Sequence, residues 1–600
     1  MNSRISNFAI VSSFVLRISV FMNASRGVEE IVMREIPFQQ TDILIIGGGG
    51  AGIRAAIEAA SLGCQVVVAN KGPVGKSGTT PMAMEAFQAV GFPGDSEEVH
   101  FRDTVEGGYH LGDENLISIL VRDAPRRAKD LEAYGVKFKK KPDGAHDPMH
   151  HPGQTFPRAL YIQGGGFGML AGLIQEARKH PGIRILNDAF MIQVILDREG
   201  AACGAVFLDL KDGRLKSFRS KAIILATGGH EELWAFNDAA CTACGDGIHL
   251  AYEAGAELID LEMLQFYPTA VLHPPSIRGT LFQYELITDP EMLAGRLVNG
   301  LKEPFFQGKL LRDAVVRAIW KEIREGRGTP HGGVYIDLIH SAKSREDLTR
   351  ALEKWQPNQF HYLKDMGFDL RETLVEVAPH AHYSLGGVAI DKEARTTVPG
   401  LFAAGEVAGN LHGANRVSGN ALAETQVFGA IAGVSASGWA KRREFEKAPL
   451  YAEQMKGLED LTKVWVRKKE KGTRPHRVRE TLQGVMWECC GVEREARGLE
   501  RGMEKLEEIQ REMLPRMTIQ EPGPNGSFGA YPRQLQEAIE VRMMAELGKL
   551  VLACAQFREE TRGHHMRVDY PSSAGKPLHT VVAKEKNPWP REINRSRPER

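Results

Sequence analysis

The sequence predicts an α/β protein: a doubly wound, Rossmann-like sheet, an inserted α+β capping domain and a C-terminal helical domain. Three observations carry that expectation. A βαβ unit opens on a glycine run in "TDILIIGGGGAGIRAAIEAASLGCQVVVANKG". Two apolar strand-like runs recur downstream, near residues 225 and 403. Past residue 441 the apolar spacing becomes helical.

Taken in order, residues 1–36 contain an apolar run, Phe8 to Phe21, that resembles a signal h-region. Arg17 interrupts it, and it is short for a bilayer span. Met22 and Met33 are alternative starts, so this stretch is expected to be a disordered or non-native extension. The first part of the nucleotide-binding domain is assigned to 37–261. Ile43 to Ile46 reads as a buried parallel strand and Gln65 to Ala69 as the next. Between them Gly47, Gly49 and Gly52 fill the G-x-G-x-x-G pattern. The first glycine allows the turn, the second lets backbone approach a pyrophosphate, and the third packs helix on strand. The helix start offers N–H groups and positive dipole to phosphates. Asn70 stands where the usual ribose-binding acid would be.

"KAIILATGGH" (Lys221 to His230) and "TTVPGLFAAGEVAGN" give two more strands for the same sheet. The interval 262–380 becomes the inserted domain, and 381–441 completes the first domain. In 442–560, Leu499, Met503, Leu506, Ile509 and Met513 recur at steps of four and three, the mark of an amphipathic helix. The tail, 561–600, ends in a basic, proline-rich run expected to be poorly ordered.

The 600 residues are 42% hydrophobic and 25% charged, an ordinary globular composition. With 76 basic and 76 acidic residues the net charge is zero, so no global field favours nucleic acid. The seven cysteines are odd in number and scattered, which fits a reducing compartment. Cys241 and Cys244 form a CxxC without a second ligand pair. They are expected to be two buried thiols near a turn, and no metal site is expected. No stretch after residue 36 looks transmembrane, so membrane contact is expected only through partners.

Seven motifs now stand in order: "GGGGAG", "GDGIHLAYEAGAELIDLEMLQFYPT", "LRDAVVRAI", "GGVYIDL", "HYSLGGV", "GLFAAGEVAGNLHGANRVSGNALAE" and "REETRGHHMRVDYP". Together they resemble the flavoprotein subunit family of succinate dehydrogenase and fumarate reductase, with the related L-aspartate oxidases. The resemblance runs from residue 40 to 571. It implies FAD, with Gly47, Gly49, Gly50 and Gly52 at the pyrophosphate. Asn70, Lys71, Ser77, Gly78, Thr79, Thr227, Gly228 and Asp246 join the implied cofactor set. Glu406 is implied at the ribityl or ribose hydroxyls, and Asn420, Ala421 and Leu422 at the flavin edge, where a helix start favours negative charge. Many members tether FAD through a histidine in a Ser-His-Thr segment. Gly78 stands at that place in "KSGTT", so non-covalent FAD is implied. The missing tether tilts the reading towards fumarate reduction or an oxidase.

"LHGANRVSGNALAE" places one permanent cation, Arg416, among small residues. The resemblance makes it the two-pronged holder of a substrate carboxylate, a task that suits a rigid guanidinium fork. His382 matches the substrate-binding histidine, with Tyr383, Gly386 and Gly387 against the flavin. Arg312 matches the family's proton donor. Free arginine titrates above about 12, so it needs a relay fed by a neighbouring carboxylate. Asp313 is the expected orienting partner, and Arg317 the weaker donor candidate. Two departures stand out. Tyr267, in "QFYPT" with Thr269, replaces a substrate-contacting histidine. The Thr-Glu carboxylate clamp has no clean counterpart; Thr280, Gln283 and Glu285 are the choices.

The resemblance implies a fumarate reductase or succinate dehydrogenase catalytic subunit. It would act on a small dicarboxylate and exchange electrons with an iron–sulfur subunit, in the cytoplasm or at the inner face of the membrane through partners. The alternatives are an L-aspartate oxidase-like enzyme and a non-catalytic flavin electron-transfer subunit.

Overall fold

The computed structural model describes residues 38–446, 472–520 and 529–595, apart from Glu85, Lys309 and Ala574, together with Gln454 and Trp465. The expectation for residues 1–36 lies outside them.

The strand Phe38–Ile46 is central because Ile43, Leu44 and Ile45 are all fully buried. Such a run suits a sheet covered on both faces. It pairs in parallel with Val66–Asn70 on one side and with Arg214–Leu225 on the other. Ile183–Asn187 extends the parallel sheet beyond Val66–Asn70. The long strand Arg214–Leu225 is shared along its length. Its first half pairs antiparallel with Ala202–Asp209, and its last residues pair in parallel with Leu401–Ala403. Strands near 225 and 403 thus join the first βαβ unit, as the apolar runs predict.

Two helices, Gly50–Ser61 and Asn420–Ala440, pack against each other beside this sheet. Gly429 and Gly433 make the approach close: a Cβ on either would lie 2.7 and 2.5 Å from the Ala51 and Ala55 carbonyl oxygens. The consequence is functional, because both helix N-termini open into one cavity.

The inserted region forms a separate antiparallel sheet in the order Leu264–His273, Val375–Ser384, Val334–Asp337, Arg296–Val298, Pro304–Phe306. Its own core includes Leu297, Ile319, Ile336 and Val377. The strand Val375–Ser384 leads back to the first domain and carries His382 and Tyr383.

The C-terminal helices are Pro475–Cys489, Ala496–Glu508 and Arg533–Phe557. The second continues through a wider turn, Ile509–Met513. Leu499, Leu506 and Ile509 are buried, as the spacing predicts, and Met503 and Met513 pack against the same core. A buried ion cluster ties this region to the first domain: Arg558 reaches Asp260 at 3.0 Å, Glu262 at 2.5 Å and Glu560 at 2.9 Å.

Two expectations change here. The tail is ordered through residue 595: Leu578–Val582 pairs with Leu258–Ile259 and with Trp589–Glu592. Its basic residues suggest solvation, but Arg591 and Lys584 pair with Glu257 and Glu253 along this sheet. Of the CxxC thiols, Cys244 is buried and Cys241 is exposed. Among the described residues no helix is long and apolar enough to cross a membrane.

Candidate active site

A cavity of about 370 Å³ runs between the first domain and the inserted one, within the size range of small-molecule sites. Its phosphate end is built from backbone. At Gly47 φ is +108°, and a Cβ there would sit 2.0 Å from the Ala226 carbonyl oxygen. A Cβ on Gly52 would sit 1.9 Å from the Gly47 carbonyl oxygen. Only glycine fits either position. Gly52 itself lies behind the lining and acts by close packing. The helix Gly50–Ser61 starts without a side-chain cap; the Gly50 N–H donates to Thr80 Oγ1 at 3.1 Å. Gly47, Gly49 and Gly50 line the cavity there.

Ser77, Gly78, Thr79, Thr227 and Gly228 line the wall as expected. A Cβ at Gly78 would meet nothing, so there is room but no atom to bond a cofactor. Asn70 lines the cavity, and its side chain is also bonded within the loop. Its Oδ1 accepts from the Gly48 N–H at 2.8 Å, and its Nδ2 donates to the Gly72 carbonyl at 2.7 Å and to Ser77 Oγ at 2.9 Å. It braces the glycine loop. Lys71 and Asp246 face each other at 3.2 Å, and Lys71 also meets Glu540 of the helical region at 3.1 Å. Burial alone would lower the Lys71 ammonium, but these carboxylates hold it above the usual lysine value.

At the other end Gly419 starts the helix Asn420–Ala440, again with no side-chain cap, and Ala421 and Leu422 line the cavity. Asn420 is turned away, bonded to His100 Nε2 at 3.0 Å and Thr104 Oγ1 at 3.2 Å. It fixes the helix start rather than touching a cofactor. Glu406 lines the cavity, and its Oε1 accepts from the Ser384 N–H at 3.2 Å. Burial, and then the adjacent Glu231 carboxylate, push it well above the carboxylate range. A hydrogen bond joins the Glu406 and Glu231 carboxyl groups at this wall. Glu231 has no motif signal in the sequence.

These features fit FAD: a glycine-walled phosphate seat at one helix N-terminus and an apolar slot at a second. The ribityl chain would meet Glu406 between them.

The remaining wall is cationic. Arg416, 7% exposed, lies 4.3 Å over the Tyr383 ring, and its Nη2 meets His382 Nε2 at 3.2 Å. His382 Nδ1 is 2.9 Å from Asp238. Burial lowers the His382 pKa to about 4, with Asp238 opposing and Arg312 and Arg416 assisting. The ring is neutral at neutral pH. Nδ1–H on Asp238 leaves Nε2 to accept from Arg416. Asp238, alone in "FNDAAC", offers no sequence signal.

Arg312 opens the helix Arg312–Glu322 and lines the cavity. Its Nη1 donates to Gln265 Oε1 at 3.1 Å and its Nη2 to Ser418 Oγ at 3.2 Å. Nε and Nη2 both reach Glu285 Oε1 at 3.4 Å. Glu285 is thus the neighbouring carboxylate a relay needs. Asp313 is not: it pairs with Arg317 and accepts from the Tyr109 hydroxyl at 2.5 Å. Arg317 also donates to the Gly563 carbonyl at 3.1 Å, outside the cavity. Gln283 is spent on Gln356 at 3.1 Å. Thr269 is buried behind the site, its hydroxyl donating to the Phe282 carbonyl at 2.5 Å. It holds a loop and does not face the cavity. Tyr267 lines the cavity and donates its hydroxyl to Glu285.

Comparison with known proteins gives the family. A family model described as FAD binding domain matches residues 42–422, and one described as fumarate reductase flavoprotein C-term matches 479–591. A CoM/CoB fumarate reductase chain of Methanothermobacter marburgensis is 37% identical, covering 90% of this chain and 96% of that one. The fumarate reductase flavoprotein subunit of Escherichia coli K12 is 30% identical, with 88% of each chain covered. Among solved structures, that of E. coli quinol fumarate reductase covers 94% of this chain and 98% of its own at 28% identity, with a TM-score of 0.85. Mycobacterium smegmatis Sdh1 covers 93% and 95% at 29% identity, with a TM-score of 0.83. The chain is an FAD-dependent oxidoreductase and belongs to the flavoprotein subunit family of fumarate reductase and succinate dehydrogenase.

Proposed function

We propose that this chain is a catalytic subunit that interconverts fumarate and succinate. The observation that carries the reading is one cavity wall bearing two separate cationic groups. Arg416 with neutral His382 forms one; Arg312 with Glu285 forms the other.

Arg416 binds one substrate carboxylate through its fork, and His382, oriented by Asp238, sets the angle of that fork. The cations draw electron density towards the carboxylates and stabilise carbanion character at the carbon to be protonated. Ala421 and Leu422 would hold FAD, which when bound would supply the hydride equivalent. Arg312 gives a proton to the other alkene carbon. Glu285, in contact with Arg312, passes a replacement proton to it. In the succinate direction the same two groups remove the proton.

The FAD is held non-covalently, since Gly78 has no side chain to tether it. Electrons pass to or from an iron–sulfur partner, because the seven cysteines of this chain supply no four-ligand set. We place the assembly in the cytoplasm or at the inner membrane face, held there by partner subunits.

Malonate, a dicarboxylate with no double bond, tests the substrate class. It is expected to perturb the flavin spectrum, and acrylate is not expected to compete. In Arg416→Gln its affinity should fall about 100-fold, the loss of a charge-assisted two-pronged contact. Unchanged malonate affinity in that variant would remove the basis for a dicarboxylate substrate.

A further inference from the structure

Tyr267 stands where the family resemblance expects a substrate-contacting histidine, yet its hydroxyl is already committed. It donates to Glu285 Oε2, while Arg312 takes Oε1. A phenol has one proton to give, so the same hydroxyl cannot also donate to a substrate carboxylate. The two Arg312 contacts to Glu285 are long, 3.4 Å each, whereas the Tyr267 contact is short. Tyr267 is therefore the closer hold on Glu285. Its ring also lies 4.7 Å beneath the Arg312 guanidinium and 5.0 Å from the His382 ring. The residue is 1% exposed, with Tyr284 packed edge-on against it.

We propose that Tyr267 is a positioning residue that tunes the proton relay: its O–H aims Glu285 at Arg312 and lowers the basicity of that carboxylate, so that Arg312 stays acidic enough to protonate substrate. The physical reason is the sharing of charge. A donated O–H spreads the negative charge of Glu285 and lowers its basicity. Without that donor, Glu285 binds the Arg312 proton more tightly and Arg312 becomes a weaker acid.

The other charged and titratable groups around Glu285 are fixed by the fold. Arg312 faces it from its helix. Arg416 shares a small cavity with it, lined also by Ser418 and Tyr284. His382, His380 and Asp238 stand behind Tyr267. Removing the Tyr267 hydroxyl takes away none of these side chains, so a shift in the pH profile is read against the same surrounding groups.

The inference rests on the fumarate reading, and the experiment separates the two. The unaltered holoenzyme is assayed first with fumarate; no turnover there would defeat the functional reading itself. In Tyr267→Phe, kcat is expected to fall about tenfold with KM within about twofold. The pH midpoint that reports Glu285 should rise by about one unit, as loss of a donor to a carboxylate requires. With 3,5-difluorotyrosine at 267, a stronger donor of nearly the same shape, the midpoint should move down instead. If the phenylalanine variant loses its flavin, the difluorotyrosine protein decides alone. A raised KM with an unmoved pH profile would show that Tyr267 touches substrate, and would overturn the proposal. An unmoved profile in both proteins would overturn it equally.

Discussion

Arg312→Ala is expected to lower fumarate reduction by about 10³-fold while leaving malonate affinity within about threefold. Arg312 is 5% exposed, at the first turn of its helix, and meets Gln265, Ser418 and Glu285. Those contacts aim the guanidinium into the cavity and supply a carboxylate behind it. Lysine should not restore the rate, because a point charge cannot meet three partners and a substrate carbon at once. Arg317→Ala is the comparison. Its partners are Asp313, Tyr109 and the Gly563 carbonyl, away from the cavity, so it should retain most of its turnover. Single-turnover oxidation of the reduced flavin by fumarate measures both. Equal loss in the two variants would remove Arg312 from its special role.

Gly52→Ala is expected to yield protein with less than about a tenth of the normal flavin, a large effect for one methyl group. The added Cβ would lie 1.9 Å from the Gly47 carbonyl oxygen. Backbone must then move, either lifting the helix Gly50–Ser61 from its strand or opening the Gly47 turn. Both displace the N–H groups that would hold a pyrophosphate. Gly484→Ala is the control, since a Cβ there meets nothing within 4 Å. Flavin content is read from the visible absorbance of the purified protein. Acid precipitation should then release that flavin into the supernatant, because Gly78 offers no tether. Normal flavin content in Gly52→Ala would contradict the packing account.

Both predictions begin from residues that the sequence makes visible. Glycine spacing, apolar strand runs and a cation among small residues are local patterns, and they find the sheet, the phosphate turn and Arg416; Arg312 and His382 come only from the family resemblance. What stays hidden depends on contacts across the fold. Asp313 adjoins Arg312 in the chain, but successive helical side chains diverge, and Asp313 pairs with Arg317 one turn on. The true partner, Glu285, comes from the inserted domain 27 residues earlier. Asp238 and Glu231 likewise act only because the strand Val375–Ser384 passes beside them. Asn420 sits at a motif position but spends its side chain on helix bracing. The ordered tail depends on a sheet edge at Leu258–Ile259, which its own proline-rich composition does not reveal.

The cavity is expected to deliver two electrons and two protons to fumarate, one proton travelling with the electron pair as hydride and the other coming from Arg312. The most direct test reduces the flavin of the full chain without oxygen and then adds fumarate. Rapid reoxidation with one succinate formed per flavin is expected, and no bleaching of the oxidised flavin by L-aspartate. A reduced flavin indifferent to fumarate, or an oxidised one bleached by L-aspartate, would contradict it.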